Sequence, residues 1–199
     1  MNKNGTKDIA CIIHGVVIAD GLLKLGELVW KAQWLNVVQV ICVFIIAIMD
    51  WYLFYEKIDK KLPRYPISLL VIDYLILVGF VLIFNLSKFK DFSLLGEVFT
   101  FSQIFWVILL VIWVLYLIYW EFFSQNFNFS LDKNYVNKCN YVNKCINKYF
   151  LVETFSLILI ILLGILSFFQ RNNFCQIILV LIFTIVSVII HLYLNEIFI

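Results

Sequence analysis

The chain has 199 residues, of which 64% are hydrophobic and 14% charged, with a formal net charge of +2. Soluble domains are about 45–50% apolar, so a soluble fold is excluded and the bilayer must solvate most of this surface. The small charge gives no reason to expect a nucleic-acid partner, and no polar stretch is long enough for a separate soluble catalytic module, so the chain reads as one transmembrane domain over 1–199.

In chain order, the first element is DIACIIHGVVIADGLLKLGELVW (8–30). Asp20, Lys24, Glu27 and Lys31 fall on one helical face, with Asp20–Lys24 and Glu27–Lys31 as acid-then-base pairs four apart, the favourable order on a helix. The other faces are apolar. Two readings follow: an amphipathic helix lying in the interface, or a sixth span with its polar stripe turned inward. A cleavable signal peptide is not expected, because His14, Asp20 and Lys24 interrupt the apolar run and no A-x-A site follows.

Crossing a hydrocarbon core of about 30 Å takes about 20 apolar residues. Five stretches meet that length: 35–55, 67–86, 98–120, 149–169 and 174–194. Trp and Tyr gather near several of their ends, as an interfacial belt requires. The expected fold is therefore an all-α polytopic membrane bundle of five spans plus the helix at 8–30. On the third span Trp106, Trp113 and Trp120 recur every seven residues and share one stripe. That stripe is either a helix–helix or subunit interface, or an aromatic face turned to lipid.

Lysine and arginine set the orientation. The first loop (Lys57, Lys60, Lys61, Arg64) and the third (Lys133, Lys138, Lys144, Lys148) carry eight basic residues, against three in the second and fourth (Lys88, Lys90, Arg171). This places the first and third loops, and the C-terminus, in the cytoplasm. If 8–30 crosses, Lys3 and Lys7 join that side. The excess of Asn, Lys, Ile and Phe matches AT-rich coding, and the expected location is a bacterial inner membrane.

The carboxylates carry the sharpest signal. Asp50 is near the inner end of span one, Asp73 is six residues into span two, Glu121 ends span three and Glu153 opens span four. Alternation of the spans puts all four towards one face. An acid at a helix centre costs about 2.5–3.5 kcal/mol on the insertion scale, less towards the ends. Either these acids are interfacial partners of the basic loops, or they face inward as an acidic mouth that recruits cations. Asp73 is about 9 Å deep at 1.5 Å per residue, too deep for an easy loop partner. His191, and His14 if 8–30 crosses, fall at the same level, so a bis-His haem is geometrically conceivable. Packed polar residues are the plainer reading, and no cofactor is expected.

The remaining features carry less chemistry. The five cysteines have no framework or zinc spacing. The tandem NYVNKC at 134–145 reads as a slippage repeat in a tolerant loop. No H-E-x-x-H, G-x-S-x-G or phosphate-binding glycine loop is present. The leading expectation is a small non-enzymatic membrane protein, oligomeric, that conducts ions or permeabilises the bilayer through Asp50, Asp73, Glu121 and Glu153, with a pore between protomers. The alternative is an accessory subunit that binds a larger protein partner through its basic loops, in a bacterial defence or immunity role. A membrane enzyme is the lesser alternative.

Overall fold

The computed structural model describes residues 5–53, 67–89, 91–94, 97–130, 136–170 and 172–198. Six helices make up the fold among these residues: α1 (Gly5–Trp30), α2 (Trp34–Leu53), α3 (Ile67–Leu86), α4 (Phe101–Ser130), α5 (Val136–Phe169) and α6 (Asn173–Phe198). Between α3 and α4 lies one small hairpin, β1 (Asp91–Leu94) and β2 (Glu97–Thr100), with Asp91 opposite Thr100 and Leu94 opposite Glu97. Helices α2 to α6 each contain a segment long and apolar enough to cross a membrane, at 34–52, 68–86, 101–119, 150–169 and 173–190. The protein is an all-α integral membrane bundle. The basic loop at 57–64 lies outside the described residues. Residues 136–149, which hold most of the tandem repeat, extend α5 at its N-terminal end.

Local chemistry explains where the elements start and stop. The third span was expected from residue 98, but 97–100 pair as a strand and the helix starts at Phe101. The cause is a capping box, T-x-x-Q. Gln103 N–H donates to Thr100 Oγ1 (3.4 Å) and Thr100 N–H donates back to Gln103 Oε1 (3.0 Å). At the start of α6 the Asn172 side chain accepts from Phe174 N–H at 2.9 Å, an ordinary N-cap.

The turn from α1 to α2 decides the fate of the N-terminal helix. Gln33 N–H donates to Leu28 O, Ala32 N–H donates to Val29 O, and Ala32 has φ of 54°. This is a Schellman ending with alanine in the left-handed position usually given to glycine. The chain doubles back within three residues, so α1 must run antiparallel to α2. Contacts follow its length: His14 meets the ends of α2 and α3 that carry Asp50 and Asp73. Asp20 accepts from Asn85 Nδ2 at 3.3 Å, and Gly21 packs under Phe84 and Phe44. A Cβ at Gly21 would fall 2.8 Å from the Phe84 ring, so only glycine admits this approach.

The outward face of α1 is apolar. Ile9, Ile12, Val16, Leu23 and Trp30 are exposed at helical spacing, with His14, Val17, Gly21 and Leu28 buried behind them. The expected pairs at Asp20–Lys24 and Glu27–Lys31 give way to a different arrangement. Lys24 pairs with Glu27 at 3.6 Å, because Asp20 turns towards α3 and Lys31 lies in the turn beyond the helix end.

The core is built on α4. Trp106 and Trp113 are fully buried, and both set their rings edge-on to Phe183 of α6, at centroid distances of 5.8 and 5.4 Å. The described part of the Trp stripe therefore faces the bundle and not lipid; the Trp120 side chain lies outside the described residues. The inward direction follows from the α4 partners, since α4 packs against both α3 and α5. Gly79 of α3 lets Ile112 of α4 approach so closely that a Cβ there would be 2.6 Å from Ile112 Cγ1.

Candidate functional site

At one end of the bundle, five helices deliver polar side chains to a common interior. Asp50 comes from the last turn of the described α2, and Asp73 from the second turn of α3. Glu153 comes from the start of the apolar part of α5, and Tyr116 from the far end of that of α4. His14 enters from α1. The level follows from alternation: each of α2 to α5 is cut at its end on the same side of the bundle. The approach follows from packing, which rotates each polar residue inward while apolar neighbours such as Val71, Tyr74, Val114 and Phe155 face outward.

His14 Nε2 lies between the two aspartates, 3.8 Å from Asp50 Oδ2 and 3.9 Å from Asp73 Oδ1. One ligand atom from each of the three residues lies within 4.8 Å of the others. His14 and Asp73 are buried and Asp50 is nearly so. Two ionised aspartates at that separation repel by about 3.5 kcal/mol at an effective dielectric constant of 20. The arrangement therefore calls for positive charge among the carboxylates.

Tyr116 and Glu153 complete the group. Tyr116 faces the Asp50 carboxylate and lies within electrostatic range of Glu153 and Asp73. Glu153 lies within range of Asp50, and the Trp113 indole N–H is turned towards it. Asp50 Oδ2, Tyr116 Oη, Trp113 Nε1 and Glu153 Oε2 are all buried, and none has a hydrogen-bond partner among the described residues. A buried polar atom left unmet costs about 1–3 kcal/mol. Tyr116 and Trp113 are turned towards the Asp50 and Glu153 carboxylates, so the four side chains form one small polar group inside the apolar bundle.

Of the acids singled out in the sequence, Asp50, Asp73 and Glu153 are brought together. Glu121 is not: it is exposed, five residues beyond Tyr116 on α4. Asp20, Lys24 and Glu27 lie towards the other end of α1, away from this group. The side chain of His191 lies outside the described residues, so the haem reading gains no geometry. Sequence reasoning missed the roles of Tyr116 and Trp113. Both were visible as members of the aromatic face of span three, but nothing in their spacing tied them to Asp50 or Glu153.

A second polar level lies near the opposite end. Asn36 Nδ2 donates to Ser87 O (2.7 Å), Gln39 Nε2 donates to Ser102 Oγ (3.0 Å), and Asn85 bridges to Asp20. Between the two levels the buried side chains are largely apolar, among them Phe80, Phe105, Leu109 and Ile112, with Thr184 set beside Cys42. No protein-family model, curated protein or solved structure matches the chain.

Proposed function

We propose that this integral membrane protein binds a cation inside its bundle and passes it across the bilayer. The observation that supports this most directly is the convergence of His14, Asp50 and Asp73, from three helices, within 4.8 Å of one another, with Glu153 buried in electrostatic range of Asp50. Ionisable side chains at membrane depth are expensive and are kept where they line an ion path or a proton relay.

The site is composed within a single chain, so this reading needs no pore between protomers. The apolar layer between the two polar levels favours binding followed by gated passage over a standing channel. On this reading α1 is a sixth crossing, and the positive-inside rule favours the cytoplasmic face for the His14–Asp73 end.

The test is flux in liposomes. Wild-type protein should move K⁺, H⁺ or Mn²⁺ down an imposed gradient. Asp73→Asn should abolish the flux, and Glu121→Gln, altering an exposed acid, should leave it intact. Absence of flux from wild type, at several protein densities and in both orientations, would overturn the reading. Weight would then pass to a membrane subunit that serves a larger partner through its basic loops.

A further inference from the structure

We infer that His14, Asp50 and Asp73 form a binding site for a divalent first-row transition-metal cation of the Mn²⁺ or Zn²⁺ kind, with Glu153 as an additional carboxylate. This deepens the cation-handling reading and rests on it for the route of the ion, though not for its binding.

The donor set selects the class. K⁺ filters are rings of backbone carbonyls. Ca²⁺ and Mg²⁺ take oxygen almost exclusively, and Mg²⁺ keeps several waters. One imidazole nitrogen among carboxylates suits the first-row divalent ions, which accept nitrogen and oxygen together. Charge agrees with this: a dication beside two aspartates neutralises their repulsion.

Spacing agrees as well. Ligand bonds of about 2.0–2.2 Å put neighbouring ligand atoms about 3–3.5 Å apart around the metal. The imidazole nitrogen stands 3.8 and 3.9 Å from the two carboxylates, and the three ligand atoms lie within 4.8 Å of one another. Side-chain rotation alone closes such a gap. The independent observation is the ring of buried groups behind the ligands. Tyr116 Oη faces Asp50 and Trp113 Nε1 faces Glu153. Donors held behind metal carboxylates in this way fix their orientation. Glu153, buried and within electrostatic range of Asp50, is the further carboxylate beside the three ligands.

The experiment uses untagged, chelator-stripped full-length protein in detergent, dialysed against Mn²⁺ or Zn²⁺ with excess Mg²⁺ present. The expected result is one equivalent of bound metal, a raised melting temperature, and ¹⁴N modulation from imidazole in the Mn²⁺ electron spin-echo signal. His14→Gln and Asp73→Asn should each weaken binding by at least about tenfold, while Glu27→Gln should bind as wild type does. No stoichiometric binding to wild type, or binding without imidazole modulation that neither site substitution weakens, would overturn the inference. The wild-type spin-echo readout holds even if a variant fails to fold. K⁺ or H⁺ flux without Mn²⁺ or Zn²⁺ binding would sink this inference and leave the broader reading standing. Stoichiometric binding without flux of any cation, Mn²⁺ included, would do the reverse.

Discussion

His14 Nε2 stands 3.9 Å from Asp73 Oδ1, although the two residues lie on helices with a third helix between them in the chain. That approach fixes α1 against α3 at the level of the carboxylates. It also changes what Asp50 and Asp73 are. Read along the chain they are two costly acids, each in its own span. In the bundle they share a histidine and face a tyrosine.

The first prediction concerns α1 as a crossing helix. In a background with the native cysteines replaced, Val16→Cys should react with a membrane-dissolved thiol reagent and resist aqueous maleimide in sealed vesicles. Val16 is 63% exposed on the apolar outer face of α1, at a depth water does not reach if the helix crosses. Maleimide labelling of Val16→Cys as fast as a loop cysteine would return α1 to the membrane surface.

Ala32 offers a test of the turn that folds α1 back. A left-handed alanine costs about 1–2 kcal/mol, and the freer unfolded chain of a glycine variant gives back about 0.4–1 kcal/mol of that gain. Ala32→Gly should therefore raise the melting temperature slightly in detergent, and Ala32→Val should lower it clearly. A glycine variant less stable than wild type would argue against the Schellman geometry.

Gly79 tests the α3–α4 contact. Gly79→Leu places new atoms where Ile112 already sits, and overpacking of this kind costs about 1–3 kcal/mol. Pairing it with Ile112→Ala should recover part of the loss, because residues in contact are not additive. Simple additivity of the two changes, measured by thermal melts, would mean that they do not meet.

Phe183 and Gln39 together separate packing from polar contacts. Phe183→Ala removes the ring on which both Trp106 and Trp113 rest and should cost about 3–5 kcal/mol, chiefly through the cavity it leaves, with a shift in tryptophan fluorescence. Gln39→Leu removes the hydrogen bond to Ser102 and should cost only about 0.6 kcal/mol, the average for such bonds between membrane helices. The opposite order of effects would show that the polar contacts, and not the aromatic core, hold the bundle.

The sequence by itself determined that the protein is a membrane bundle, and it placed five spans to within a few residues. Length and hydropathy suffice for that, because a helix in lipid must satisfy its own backbone and need only be apolar and long enough. Alternation also put Asp50, Asp73 and Glu153 at one level without any coordinates. Rotation about each helix axis was not legible, since a span apolar on all sides gives no sign of which face turns inward. For that reason the Trp106–Trp113 stripe read more readily as lipid-facing, and no residue in the sequence told whether Glu153 turned inward or towards the loops. Helix–helix packing, guided by small residues such as Gly21 and Gly79 and by the tight turn at Ala32, decided those rotations. It brought His14 beside Asp50 and Asp73, turned Tyr116 and Trp113 towards the carboxylates, and left Glu121 outside.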